Sequence, residues 1–253
     1  MSTPLEREDD WGVPLPGEWV PEAARTQTHL QRLPLGIIDP GSIFCSTGPV
    51  QLDLGCGNGR ASIVHAMQHP DWNHLAVDVF SGAIRHASRR AGRRGLTNIR
   101  FAVADAREVV SRVKPQSVRE LCLYHPQPIY DLAQASKRLL TPSFLVQVHR
   151  LLEPAGQLIV QTDHPAYWSY LTSVLPCFFH VEERLEPWVD APEGRTRREI
   201  LARQWKLPIF RAVCQPRQDI TLAEAASQAE QLPLPRFDAD RQWQEVEAME
   251  GGA

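Results

Sequence analysis

Three aspartates follow one another behind a glycine-rich segment. Asp53 heads DLGCGNG (53–59), Asp78 lies in HLAVDVF (74–80), and Asp105 closes IRFAVAD (99–105). Each comes at the end of a short apolar run that reads as a strand, and ligands of open parallel sheets bind at the carboxyl ends of strands. Glycines 55, 57 and 59 allow a tight turn and close backbone approach to a ligand. Their spacing, GxGxG, differs from the GxGxxG fingerprint whose helix N-terminus receives a pyrophosphate. The pocket therefore offers acceptors rather than a phosphate cradle. S-adenosylmethionine has no phosphate but carries an ammonium, a sulfonium and a ribose diol, which suits this set. Asp53 would face the ammonium beside Gly55 and Gly57, Asp78 the ribose hydroxyls, and Asp105 the adenine edge. Taken singly, an acid at a strand end is more often a turn or helix cap; the three together favour methyl-donor binding.

The elements that must hold these residues alternate short apolar runs with longer amphipathic ones, the pattern of a parallel sheet with crossover helices. Strands are expected at 50–55, 74–80, 99–105, 118–125 and 157–163, with helices at 61–69, from Ser81 to Gly92, from Thr141 to Gly156, and at 166–175. Segments 177–185 and 207–214 read as two last, antiparallel strands. This predicts an α/β, Rossmann-like class I methyltransferase fold: a mostly parallel seven-stranded sheet with helices on both faces. Residues 1–35 read as an irregular arm, 36–216 as the methyltransferase domain, and 217–253 as an acidic, partly disordered extension with room for a short helix.

Charge is divided along the chain. Residues 217–253 hold eight acids against three arginines, which leaves the first 216 residues at +2 within a whole-chain charge of −3. Arginines gather at 85, 89, 90, 93 and 94 and again at 195, 197 and 198, with Lys137 and Arg138 nearby. These clusters are either solvated faces or a phosphate-facing surface. Five scattered cysteines without a CxxC pair read as reduced thiols and predict no metal site. The polar N-terminus does not read as a signal peptide, and no apolar run reaches the ~20 residues of a membrane span, so a cytoplasmic protein is expected.

LDLGCGNGR, HLAVDVF, LTNIRFAVADAREVV, KRLLTPSFL and LIVQTDHPAYW together resemble the bacterial tRNA (guanine-N7)-methyltransferases, from about Val50 to Val213. The resemblance implies S-adenosylmethionine as cofactor, tRNA as partner, and N7-methylguanosine as product. It places the cofactor residues on Asp53, Asp78 and Asp105, a substrate-contacting aspartate on Asp163, and the family's Thr-x-x-Glu signature on Thr196 and Glu199, within RTRRE. It also sets the family's Pro-Asp-Pro-Trp loop onto residues 126–138, PQPIYDLAQASKR. Gln127 thus stands where the family has aspartate, and Ile129 where it has tryptophan.

The exchange does not forbid the reaction. Guanine N7 has a free lone pair at neutral pH, so no general base is required. Holding N7 and the methyl group in line can supply most of the acceleration. Gln127 keeps an acceptor and a donor beside the cofactor, and Asp163 and Glu199 are the candidate acceptors for the guanine N1–H and N2–H₂ edge. Gln127 and Asp163 are therefore the expected catalytic residues, with Thr196 and Glu199 joining Asp163 in substrate binding. Two other readings stay open: the same fold and cofactor acting on another substrate, and a non-catalytic RNA- or cofactor-binding relative.

Overall fold

All five residues of the segment VQLDL (50–54) are buried, as a strand paired on both sides requires. In the computed structural model, which describes residues 8–44, 46–239 and 248, this segment is the centre of the fold. The strands are β1 (Asp9–Asp10), β2 (Val13–Pro14), β3 (His29–Leu30), β4 (Val50–Leu54), β5 (Asn73–Asp78), β6 (Ile99–Val103), β7 (Val118–Tyr124), β8 (Leu152–Thr162), β9 (Phe179–Glu183) and β10 (Phe210–Pro216). The helices are α1 (Pro40–Phe44), α2 (Arg60–Gln68), α3 (Ser81–Arg93), α4 (Ala106–Arg112), α5 (Pro142–Leu151), α6 (Pro165–Val174), α7 (Arg197–Gln204) and α8 (Leu222–Gln231).

β1 and β2 form a separate hairpin, and the other eight strands make one sheet in the order β3-β6-β5-β4-β7-β8-β10-β9. Its first six strands are parallel, and β10 runs antiparallel to both β8 and β9. The chain order reverses at β4, so the carboxyl ends of β4 and β7 flank a topological switch point. Side chains of β5 alternate between two apolar clusters. Leu75 and Val77 join residues of α4, α5, α6 and α8, whereas Ala76 joins residues of α2 and α3. Alternate residues of a strand face opposite sides, so helices cover both faces of the sheet.

Among the described residues the sheet has eight strands where seven are predicted. The extra one, β3, pairs its two residues with Phe101 and Ala102 of β6 from within the expected irregular arm. Two residues carry no readable alternation. The helix expected to run to Gly156 stops at Leu151, and the chain passes directly into β8 at Leu152. Gly156 is therefore a strand residue, where a Cβ would sit 2.9 Å from the Val118 carbonyl oxygen. Its N-terminus is as predicted: the Thr141 hydroxyl accepts from Phe144 N at 3.2 Å with Pro142 in the first turn, a cap worth about 1 kcal/mol.

Two segments read as peripheral are folded where described. Asp10 is 5% exposed, paired with Arg60 and Arg90. In the acidic extension, Thr221 and Glu224 form a capping box at the start of α8, and Ala225 is fully buried in the larger core. Burial of that one face explains why an acid-rich, aliphatic-poor segment nevertheless packs. The rest of the extension, from residue 240 apart from 248, lies outside the described residues, as does Cys45; the other four cysteines are free thiols. No described helix is long and apolar enough to cross a membrane.

Candidate methyl-donor and base site

At the carboxyl end of the sheet a cleft of about 930 Å³ is lined by Asp53, Gly55, Gly57, Asp78, Gln127, Asp163 and Thr196. Asp53 is 2% exposed because strands pack on either side of it. Ser62 Oγ donates to its Oδ2, while its Oδ1 is shielded from solvent and has no hydrogen-bond partner among the described residues. Burial pushes its carboxyl up to about 7; Asp78 and Glu120 push the same way, and only the Ser62 hydrogen bond opposes them. Gly55 and Gly57 have φ of +79° and +53°, and a Cβ on either would meet nothing within 4 Å. The loop backbone is thus bare toward the cleft. Asp78 shapes this loop, accepting from Gly57 N at 2.9 Å and Phe80 N at 2.8 Å.

These residues fit a methyl donor's amino-acid and ribose parts. An orphaned buried acceptor is suited to an ammonium, and an open glycine backbone admits a bulky ligand. Asp105 departs from the expectation. Its Oδ1 accepts from Arg107 N and Glu108 N, which makes it the N-cap of α4, and it does not line the cleft.

The loop after β7 is shaped by two residues with positive φ, His125 (+49°) and Ile129 (+47°). Gln127 lies between them, exposed at the cleft rim. The prolines hold that loop with help from Arg138, which is fully buried. Its guanidinium donates to the carbonyls of Pro128 and Ile129, and to those of Pro235 and Phe237 in the C-terminal segment. The Phe237 ring lies 3.7 Å from the same guanidinium carbon. Arg138 therefore is not part of a phosphate-facing surface; it ties the loop to the C-terminal segment.

His125 sits directly in front of the Pro-Gln-Pro, and sequence reasoning passed over it. Its tautomer follows from Gln161. Trp188 Nε1 and Arg211 Nε both donate to Gln161 Oε1, which fixes the amide orientation and leaves Nε2 to donate. Gln161 Nε2 is 2.8 Å from His125 Nε2, so that nitrogen accepts and the proton sits on Nδ1. Nδ1 donates to Asp163 Oδ1 at 2.8 Å. The other Asp163 oxygen receives Arg198 Nε and Nη2 at 3.0 and 2.8 Å. Burial raises the Asp163 carboxyl, but His125 and Arg198 outweigh it and hold it well below the usual carboxylate range. An ionised acceptor thus lines the cleft beside Gln127.

Thr196 also lines the cleft, and its hydroxyl accepts from Glu199 N at 2.9 Å to cap α7. Glu199 does not reach the cleft. Its side chain is fully buried, with Arg203 and Arg211 on Oε1 and Gln161 Nε2 and Arg195 N on Oε2. Burial alone would raise its carboxyl, and the Arg211 and Arg203 guanidiniums with Arg195 N keep it low. The expected base-edge contact is therefore corrected: Glu199 holds Gln161, and through it His125, in place.

The arginine clusters divide in the same way. Arg90 and Arg94 are buried against Glu8 and Asp10, and Arg93 binds Glu8 beneath the Trp19 ring. Arg195 is held by Asp190 and the Tyr124 hydroxyl. Arg85 and Arg89 remain exposed on α3, and Arg89 and Arg197 border the cleft. Sequence spacing alone cannot tell these from their buried neighbours, because their acidic partners lie up to 86 residues away.

The sequence profile of a family described as "Putative methyltransferase" matches residues 47–212. Proteins called tRNA (guanine-N(7)-)-methyltransferase are similar: that of Chloroflexus aggregans is 33% identical over 59% of this chain, and that of Rubrobacter xylanophilus 31% over 57%. The chain spans 66% and 64% of the length of these two relatives. The corresponding Parasynechococcus marenigrum protein is 28% identical over 72% of this chain and 81% of its own. Among solved structures, the 16S rRNA methyltransferase KamB superposes with a TM-score of 0.52 at 19% identity, covering 69% of this chain and 91% of that one. That likeness supports the fold.

Proposed function

The chain belongs to that methyltransferase family, and on this footing we propose that it transfers a methyl group from S-adenosylmethionine to N7 of a guanosine in tRNA. The observation that carries the reading is the unpartnered Asp53 Oδ1 in a cleft it shares with ionised Asp163. Asp53 would take the donor's ammonium and Asp78 its ribose hydroxyls, with Gly55 and Gly57 leaving room. Bound there, S-adenosylmethionine supplies an electrophilic methyl: as the N7 lone pair forms the new N–C bond, the S–C bond breaks with its electrons staying on sulfur, and positive charge passes to the base. No proton leaves N7, so the chain needs to position and stabilise rather than act as a base. Asp163 lies on the cleft wall to accept from the guanine edge and to offset the arriving charge, while His125 and Arg198 hold its orientation. Gln127 adds a neutral acceptor at the rim. A chain acting on tRNA would work in the cytoplasm.

A second reading is favoured by Gln127 and Ile129, which stand where the resembled family has aspartate and tryptophan: the same donor used on a different substrate. Incubation with methyl-labelled donor and unmodified tRNA tests the first. Label in tRNA that disappears with Asp53→Ala supports it; donor binding by calorimetry with no label in tRNA refutes it, in favour of the second or of a non-catalytic cofactor-binding relative.

A further inference from the structure

One wall of the cleft is built in part from outside the matched region, residues 47–212. Asp9, Asp10 and Trp11 line it from the β1–β2 hairpin. Trp11 stands at the hairpin tip with φ of +54°, followed by Gly12 at +83°. A two-residue turn with both residues left-handed suits Asn-Gly or Gly-Gly, and a bulky aromatic there is strained. Such strain persists only where the surroundings over-determine it, and it concentrates at functional sites.

The surroundings do over-determine it. The Asp10 carboxylate receives Asn58 Nδ2 at 2.6 Å and Arg60 Nη1 and Arg90 Nη2 at 3.0 Å each, which fixes the hairpin to the glycine loop and α3. Gln204 Nε2 donates to the Trp11 carbonyl at 2.7 Å, and the Arg197 guanidinium lies 5.0 Å from the indole centroid, which fixes the tip to α7. Apolar burial does not account for the tip. The hairpin's core anchor is Leu15, at 5% exposure, whereas Trp11 is only half-buried. The indole N–H, shielded from solvent, has no hydrogen-bond partner, and Arg197 has no ion pair among the described residues.

Resting on the reading of a guanosine acceptor, we infer that Trp11 and Arg197 form the nucleotide wall of the cleft: the indole stacks on the target guanine, and Arg197 meets that nucleotide's phosphate. Methylation at N7 leaves the purine positively charged, and an indole face attracts a cation. The wall therefore holds the charged ring more strongly than neutral guanine, and this preference grows as charge develops on the base. It supplies part of the charge stabilisation that neutral Gln127 lacks.

The test compares Trp11→Phe, which keeps a π face, with Trp11→Leu, which keeps only apolar bulk, in the full chain with melting temperature as a control. Turnover of unmodified tRNA should fall about tenfold or more in kcat/KM for Trp11→Leu, with much of the loss in kcat. Trp11→Phe should recover most of it, and donor affinity should be unchanged in both. With S-adenosylhomocysteine bound, fluorescence titration should give wild type a preference for 7-methylguanosine 5′-monophosphate over guanosine 5′-monophosphate that Trp11→Leu loses. Arg197→Gln, which leaves the turn intact, should lower the slope of log tRNA affinity against log salt by about one contact. Equal behaviour of the Leu and Phe substitutions in turnover and titration, loss of donor affinity, or an unchanged salt slope would overturn the wall. If the wild type leaves tRNA unmethylated, the guanosine-N7 reading falls, and the mononucleotide titration still decides the role of Trp11.

Discussion

His125 and Asp163, 38 residues apart in sequence, share a 2.8 Å hydrogen bond that ties the loop after β7 to the end of β8. Both side chains are nearly buried, and Arg198 closes the group from α7. Asp163 is consequently both an ionised wall of the cleft and the anchor of the loop that presents Gln127. Replacing it should affect turnover and folding together. Asp163→Ala leaves Arg198 as a buried charge without this acid and should cost about 3–5 kcal/mol in urea denaturation. Donor affinity by calorimetry should stay within about threefold while kcat falls at least tenfold. Intact turnover would remove Asp163 from the substrate side.

The Asp53 carboxyl should make donor binding pH-dependent. Its folded pKa is about 7 against an ordinary 3.8, so below pH 7 the ligand-free protein holds a proton there that an incoming ammonium must displace. Donor Kd should fall as pH rises from 5.5 to 7, approaching tenfold per unit at the acid end, with proton release detectable in buffers of different ionisation enthalpy. By the same linkage, the folded state binds more protons than the unfolded chain between 3.8 and 7, so this group's contribution to ligand-free stability declines as pH rises through that window. Asp53→Asn should flatten the binding profile; a persisting slope would assign it to another group.

Glu199 should behave as a structural acid. Glu199→Gln keeps the shape but leaves Arg203 and Arg211 without their buried counter-charge, at a cost of about 3–5 kcal/mol in urea denaturation. At a temperature where the variant is folded, KM for tRNA should change less than about threefold. A large rise in KM without loss of stability would return Glu199 to the substrate.

Gln127→Asp restores a charge at an exposed loop position and should not disturb the fold. A charged acceptor is stronger than a neutral one by ~1 kcal/mol, so kcat on guanosine should rise roughly five- to tenfold at saturating donor. No change in stopped-time assays would mean that the loop stays away from the reacting base.

The parallel core was legible because each of its strands is a short apolar run closed by a turn residue. The place of Asp53 and Asp78 on the cleft was legible because they end two of those runs. Asp105 carried the same local signal, and its N-cap shows why: a cap and a ligand contact use the same residue type at the same place. Glu199 was expected at the base edge and Arg138 in a charged cluster, and both are buried, because burial depends on partners brought in by the sheet, not on neighbours in sequence. Gln161 could have been found, since a polar residue inside LIVQTD must be satisfied in a central strand. Trp11 and Asp10 could not, because their contacts are made with Asn58, Arg60, Arg90, Arg197 and Gln204.

The central claim concerns the product, and product identity tests it most directly. Unmodified tRNA treated with the protein and labelled S-adenosylmethionine should be digested to nucleosides, with a parallel sample cleaved chemically at N7-methylated guanosines. The label should elute as 7-methylguanosine, and cleavage should fall at one defined position. Label in any other nucleoside, or protein that binds the donor and leaves tRNA unlabelled, would contradict it.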